Sequence, residues 1–174
     1  MVDRRVVREN CPHLQRALSP KNDLLAAIEL RRLYKKHKPD VVHLHSSKAG
    51  VLGRLVFPSK RTIYTVHGFD SVRIAFRKFL PVERTMQHFA RATVGVSNYD
   101  RIHMIEERIN KGVCTVYNGI VPPCTDGMQE LSVFDKYDKT ILTIARINPQ
   151  KDPKLFIETA RLLPNYGFVW IGNQ

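Results

Sequence analysis

Residues 40–53, which read Asp-Val-Val-His-Leu-His-Ser-Ser-Lys-Ala-Gly-Val-Leu-Gly, decide the fold of this chain. The segment begins with the apolar run Val41–Leu44, which is typical of a buried parallel strand. It then becomes small and polar, and its serines are residue types that begin helices, here a helix predicted over Ala49–Phe57. In a parallel sheet, ligands bind beyond the carboxyl ends of the strands. The candidate ligand-binding residues at this end are therefore His45, Ser46, Ser47 and Lys48.

The strand, turn and helix pattern recurs along the chain, which predicts an α/β fold with a parallel sheet. Further strands are predicted at Arg61–Val66, Thr93–Val96, Val113–Val116, Thr140–Ala145 and Phe168–Ile171, with a weaker edge strand around Val6 and Val7. Helices are predicted at Asn22–His37, Tyr99–Ile109 and Pro153–Leu163, together with a long segment over Val72–Arg91 that is bent or broken near Pro81. The predicted organisation is a first domain over residues 1–121, a linker over 122–138, and the beginning of a second domain over 139–174.

Composition limits the classes of partner. The net charge of +12 favours an anionic partner such as a nucleotide, a nucleic acid or a membrane surface, although a basic surface also keeps a protein in solution. The three cysteines include no Cys-x-x-Cys pair, which argues against a disulfide framework or a zinc ribbon. No apolar run reaches the roughly 20 residues that a membrane-spanning helix needs.

Two cations and a histidine are the residues most suited to chemistry. Arg146 and Lys151 follow one predicted strand and flank the start of a helix, an arrangement that suits a diphosphate, although solvated surface cations give the same spacing. His67 ends another strand beside Gly68 and has the geometry to donate to a substrate hydroxyl or phosphate, or to bond loop carbonyls. His43 and His45 share a strand face, but no third metal ligand lies nearby in the sequence.

Other catalytic motifs are missing from the sequence. The stretch Gly95-Val96-Ser97-Asn98-Tyr99 lacks the final glycine of a nucleophile elbow. The chain has neither a Gly-x-x-x-x-Gly-Lys-Ser/Thr loop nor a Gly-x-Gly-x-x-Gly turn. Hydrolase, P-loop and dinucleotide-binding interpretations are therefore disfavoured.

Five segments, taken in order, resemble the retaining glycosyltransferases of family four, which have the GT-B fold, and specifically bacterial enzymes that build capsule, O-antigen or exopolysaccharide. The segments are His43–Gly50, Thr65–Phe69, Val96-Ser97, Tyr117–Ile120 and Ile144–Asp152. The resemblance implies two Rossmann-like domains, of which this chain holds the later part of the first and the beginning of the second. The family's glycine-rich loop and paired-glutamate motif are absent, so we expect the chain alone to be inactive.

The resemblance also implies roles for individual residues. Arg146 and Lys151 match the pair that binds the donor diphosphate, His67 matches the histidine near the reacting sugar, and residues 45–48 fall in the acceptor-side loop. The implied substrates are a nucleotide-sugar and a saccharide acceptor that is often lipid-linked. No cofactor or metal is expected, because fixed cations can stabilise the departing diphosphate. The implied location is cytoplasmic, with peripheral contact at the inner face of the membrane.

Two other classes remain open from the sequence. A basic nucleic-acid-binding module would need aromatic residues and cations on one exposed surface, whereas Phe76, Phe79 and Phe89 have spacings that predict a buried helix face. A GT-B type epimerase would also bind a nucleotide-sugar. The cations between Arg73 and Arg91 motivate a further hypothesis, that this segment faces an anionic membrane.

Overall fold

The computed structural model describes residues 6–15, 17–122, 127 and 136–173. Contacts divide the chain into two compact units, Met1–Ile120 and Val121–Gln174. The first unit contains β1 (Val42–His45), β2 (Thr62–Val66), β3 (Ala92–Gly95) and β4 (Val113–Thr115), with α1 (Pro20–His37), α2 (Ser47–Val56), α3 (Leu80–Met86) and α4 (Asn98–Glu106). The second unit contains β5 (Lys139–Ile144), α5 (Pro153–Leu162) and β6 (Tyr166–Ile171).

The first unit is built on a four-stranded parallel sheet with the order β1-β2-β3-β4. Side chains alternate across it, so Leu44, Tyr64 and Val66 point to one face and join the core with Phe69 and Met104. The strand ends and the caps of the helices match the predicted boundaries within a few residues. The predicted α/β class with a parallel, helix-flanked sheet is therefore confirmed.

Helix α2 lies unusually close to the sheet because two of its residues are glycines. A methyl group at Gly53 would lie 2.6 and 2.7 Å from the two terminal carbons of Leu44, and one at Gly50 would overlap the Tyr64 ring. Both glycines are buried. The missing side chains of Gly50 and Gly53 therefore allow α2 to approach β1 and β2 this closely.

Two strands pair with each other among the described residues of the second unit. Strands β5 and β6 pair in parallel from Lys139 to Ile144, and α5 packs over them through Phe156. The Phe156 ring makes edge contacts with Phe168 and Trp170, with ring centroids 5.3 and 5.1 Å apart. These elements form a two-stranded parallel sheet where a second domain is predicted, while most of the predicted linker over 122–138 lies outside the described residues.

The segment over Val72–Arg91, which was predicted to be bent or broken near Pro81, is divided more finely in the structure. It is divided into a π-helical stretch Ser71–Ala75, a 3-10 turn Arg77–Phe79, α3, and a second 3-10 turn Gln87–Phe89. Pro81 does not bend a helix here, because it lies in the first turn of α3, where its missing N–H is tolerated. The segment is therefore broken as predicted, with α3 beginning at Leu80 next to Pro81, but it has more breaks than the sequence indicated.

Two predictions are wrong, one about the burial of three phenylalanines and one about an edge strand. The phenyl rings expected on a buried helix face are exposed, with exposed fractions of 56% for Phe76, 38% for Phe79 and 41% for Phe89. The broken helix removes the regular spacing on which that prediction depended. Val6 and Val7 form no edge strand, and both are exposed.

Candidate functional site

An open groove of about 260 Å³ runs along one face of the four-stranded sheet toward the carboxyl ends of its strands. Because side chains alternate, this face carries the residues that do not enter the core. The groove is lined by His43, His45, Ile63, Thr65, His67, Val94, Val96, Val116, Tyr117 and Asn118. Its position at the carboxyl ends is the place where parallel sheets bind ligands.

His67 stands at the mouth of this groove, on the turn that follows β2. Gly68 has a φ of 90°, which a residue with a side chain rarely adopts, so the turn requires glycine at this position. Phe69 is 2% exposed and fixes the far end of the turn in the core. The Phe69 amide donates to the Asp100 carboxylate at 2.7 Å. The backbone on the carboxyl side of His67 is therefore fixed by packing and by a buried hydrogen bond.

Asp100 is a residue that sequence analysis missed. It is 5% exposed, and the hydroxyl of Ser97 donates to its second carboxylate oxygen at 2.7 Å. Ser97 also caps α4 by accepting from the Asp100 amide. The serine-x-x-acid pattern at a helix start is a capping signal that can be read from sequence, but its link to the His67 turn depends on tertiary structure.

The histidines predicted to share a face do so. The rings of His43 and His45 are 4.1 Å apart, and the Nε2 atom of His43 lies 2.6 Å from the hydroxyl oxygen of Thr65. His45 Nδ1 lies 2.9 Å from His67 Nε2, which is a hydrogen-bonding distance. Burial lowers the pKa of His45, and the neighbouring charges that His43 and His67 would carry lower it further. His45 therefore favours its neutral form.

The four residues predicted as one acceptor-side loop occupy different elements. His45 ends β1, Ser46 forms the turn, and Ser47 and Lys48 begin α2. The loop is shorter than predicted because both strand and helix extend into it. Lys48 forms an ion pair with Asp23 of α1 at 2.5 Å, so its ammonium group is already engaged.

Ser46 has a strained backbone. Its φ of 69° and ψ of 151° lie in a region that is essentially restricted to glycine, and its side chain forms no capping bond with α2. Such a conformation costs about 1–3 kcal/mol and occurs preferentially at functional sites. The strain lies directly after His45, at the edge of the groove.

Arg146 and Lys151 lie at the carboxyl end of β5, in the second unit. Arg146 comes two residues after the strand, and Lys151 ends the 3-10 turn Pro149–Lys151 that precedes α5. Both are exposed, and within residues 136–173 neither side chain forms an ion pair with a described carboxylate. The Asn148 side chain accepts from the Lys151 amide at 3.2 Å and so shapes this turn. Two exposed cations, without a carboxylate partner in residues 136–173, thus lie just before a helix.

Asp152 occupies a position where the resemblance implies glycine. Its φ of 46° is left-handed, which aspartate tolerates better than most residues, and its carboxylate caps α5 by accepting from the Leu155 amide at 3.1 Å. At the other side, the carbonyl of Ala145 accepts from the Trp170 indole at 2.8 Å. The backbone therefore accommodates aspartate at position 152, and a side-chain hydrogen bond from β6 fixes the residue before Arg146.

Three of the five lysine and arginine side chains between Arg73 and Arg91 form ion pairs with two acids. Arg73 pairs with Asp70, while Arg77 and Arg84 both pair with Glu107. The hydrogen bond from Arg77 lowers the pKa of Glu107, and the charge of Arg77 and the contact with Arg84 add to the effect. The segment therefore carries less uncompensated positive charge than its sequence indicates.

Metal binding and membrane spanning find no support in the part of the chain that the structure describes. No group of three histidine, cysteine, aspartate or glutamate side chains there is placed to hold a metal ion. None of the helices in those residues is long and apolar enough to cross a bilayer.

A helix-flanked parallel sheet with its groove at the carboxyl strand ends, followed by a second parallel strand pair, is the architecture of a Rossmann-like half of a GT-B protein. The sequence profile of Glycosyltransferase Family 4 matches residues 2–122, which is well over half of the chain. The chain belongs to this family, as the resemblance of its motifs predicts.

Three curated relatives extend this assignment. The chain is 29% identical, over 93% of its length, to an Escherichia coli UDP-Gal:alpha-D-GlcNAc-diphosphoundecaprenol alpha-1,3-galactosyltransferase. It is 27% identical, over 83% of its length, to the putative glycosyltransferase EpsD of Bacillus subtilis, and 26% identical, over 80%, to a 41.2 kDa protein of the Klebsiella pneumoniae cps region. These matches cover 48%, 44% and 44% of the relatives, so the chain spans about half of their length.

Proposed function

We propose that the protein to which this chain belongs transfers a sugar, with retention, from a nucleotide-diphosphate donor to a lipid-linked saccharide during polysaccharide biosynthesis. The membership in Glycosyltransferase Family 4 carries this proposal. The Escherichia coli relative is named for a UDP-linked donor and a diphosphoundecaprenol acceptor, which favours substrates of the same two chemical classes here.

In the proposed reaction, Arg146 and Lys151 bind the donor diphosphate. Negative charge develops on this group as the sugar leaves, and a guanidinium fork and an ammonium group stabilise it. Their exposure at the end of β5, without a described carboxylate partner, supports this role. We propose that these cations, rather than a metal ion or a cofactor, stabilise the leaving group, and undiminished activity in excess EDTA is the expected result.

His67 is assigned to the reacting sugar. Its ring lies at the open mouth of the groove, its turn is fixed by Phe69 and Asp100, and an imidazole can donate to or accept from a sugar hydroxyl. His45 and Ser46, at the edge of the same groove, are assigned to the acceptor side. Ser47 and Lys48 would affect the acceptor side indirectly, by fixing the start of α2, because the Lys48 ammonium group already pairs with Asp23.

The proposed location is the cytoplasmic face of a membrane, where a lipid-linked acceptor would be reached. Exposed apolar side chains at Ile74, Phe76 and Phe79, with exposed fractions of 65, 56 and 38%, would make the contact. Arg73 and Arg77 beside them are paired with acids, so the apolar side chains contribute to this contact together with the remaining net charge. Sedimentation with anionic vesicles should then weaken only in part at high salt, and Phe76→Ser should weaken it at both salt concentrations. Binding that Phe76→Ser leaves unchanged, or no binding to any vesicle, would contradict this contact.

Product analysis tests the proposed reaction. The complete gene product that contains this chain is incubated with nucleotide-sugars and a polyprenyl diphosphate-linked saccharide, and the products are identified by mass spectrometry and by the anomeric configuration in NMR spectra. A lengthened acceptor with the donor's anomeric configuration is expected. Conversion of the nucleotide-sugar to an isomer without an acceptor would instead identify an epimerase, and an inverted linkage would exclude retention.

A further inference from the structure

The rings of His45 and His67 form a contact that family membership alone does not explain. The His45 Nδ1 and His67 Nε2 atoms are 2.9 Å apart, and the rings are stacked with centroids 5.2 Å apart and an interplanar angle of 30°. Two neutral imidazoles at this distance share one proton, because one nitrogen must donate and the other must accept. The protonation of one ring nitrogen in each histidine is thus coupled to that of its partner.

His45 is the better fixed member of this pair. It is part of β1 and is paired in register with Thr65 of β2, whereas His67 lies on the following turn. On its other side the His43 ring is 4.1 Å away, and His43 is itself held by the Thr65 hydroxyl. Because the His45 ring is fixed in the sheet and the His67 ring lies on a turn, His45 is placed to orient His67.

We infer that His45 is a positioning residue, whose ring holds His67 in a single tautomer and so presents the Nδ1 atom of His67 to the substrate in one protonation state. This inference rests on the proposed role of His67. The partner of a histidine's second nitrogen is what decides which nitrogen carries the proton. A fixed tautomer would allow His67 either to donate to or to accept from a sugar hydroxyl, but not to alternate between the two.

The surroundings of His45 favour a neutral ring. The titratable groups that face it are His43 on the same strand, His67 after β2, and Tyr117 after β4, while β3 contributes only valines to the groove. Burial, followed by the charges of the two histidines, lowers the pKa of His45. The His45 ring therefore stays neutral to a lower pH than an ordinary imidazole, and in that form its Nδ1 atom can share a proton with His67 Nε2.

Nitrogen-15 NMR of the imidazole side chains tests the inference directly, at pH 8 and on this chain. His67 is expected to show one tautomer in the native chain and a mixture in His45→Phe, which keeps a ring but lacks the nitrogen. His45→Asn, whose amide can replace Nδ1, should restore one tautomer, and the exposed control His88→Asn should change nothing. A mixed tautomer in the native chain overturns the inference whether or not a variant folds, and so does an unchanged tautomer in a folded His45→Phe.

Kinetics of the complete gene product separates this inference from the proposed function. His45→Phe should lower kcat by up to about 100-fold, the scale expected when a catalytic group is misplaced, with little change in KM for the donor. His45→Asn should recover most of that loss. Full activity of His67→Ala would refute the role of His67 whatever its tautomer, whereas an inactive His67→Ala with a fully active His45→Phe would refute only the positioning role.

Discussion

The buried ion pair between α2 and α3 gives the strongest prediction about stability. Arg54 is 1% exposed and donates to the Glu83 carboxylate and to the carbonyl of Gly50, both at 2.8 Å, while its guanidinium lies 4.2 Å from the centre of the Tyr64 ring. Arg54→Met keeps most of the side-chain volume but leaves Glu83, which is 7% exposed, without its cation. Breaking one side of such a pair costs about 3–5 kcal/mol.

The double variant Arg54→Met/Glu83→Leu should recover most of this loss, because replacing a buried ion pair by apolar residues is often neutral. The chain's one tryptophan, Trp170, lies in the second unit, so its fluorescence does not report on this pair. Hydrogen exchange of the β2 amides measures the stability of the first unit instead. The exposed pair Lys36–Glu9 of the first unit provides the control, because an exposed ion pair adds little stability, so Lys36→Met should leave the exchange of the β2 amides almost unchanged. A loss below about 1 kcal/mol in Arg54→Met would refute the reasoning.

Three further variants test the local structure. Ser46→Gly should raise the free energy of unfolding by about 1 kcal/mol in guanidinium titrations, because it relieves a strained φ of 69°, and an unchanged or lower value would argue against the strain. Gly53→Ala should cost about 1–3 kcal/mol, because its methyl group overlaps Leu44, whereas Gly119→Ala, with open space around it, should cost little; equal effects would contradict the close helix packing. Glu107 has a folded-state pKa below its unfolded value of about 4.3, so its contribution is present above that pH and is lost as the pH falls through the lowered pKa. Glu107→Gln should therefore lose less stability than the native chain when the free energy of unfolding is measured at falling pH. An identical loss of stability at acidic pH in both proteins would disprove this.

The elements that could be predicted from sequence are those with local signals. The apolar run before His45 identified β1, and Ser19 and Ser97 cap α1 and α4 through their own side chains, as serine does at helix starts. The parallel order of β1–β4 follows from the alternation of strands and helices. The sequence placed His45 and His67 each at the carboxyl end of a predicted strand, but their contact at 2.9 Å is known only from the structure.

What sequence could not give depends on contacts between distant residues. Arg54 reads as an ordinary helix-surface residue, and only its partner 29 positions away, Glu83, accounts for its burial. The phenylalanines of residues 76–89 have helical spacing, yet the chain breaks there into short turns and exposes them. The hydrogen bond from the Phe69 amide to Asp100, which fixes the turn after His67, likewise joins residues 31 positions apart.

The most direct test of the central claim is calorimetric titration of the complete gene product with uridine diphosphate. Charge-assisted hydrogen bonds contribute about 1.5–3 kcal/mol each, so Arg146→Ala and Lys151→Ala should each weaken binding by about 10- to 100-fold. Lys154→Ala, a neighbouring exposed cation on α5, should leave the affinity unchanged. Equal affinity in all four proteins, or equal loss in all three variants, would contradict the assignment of Arg146 and Lys151 to the donor diphosphate.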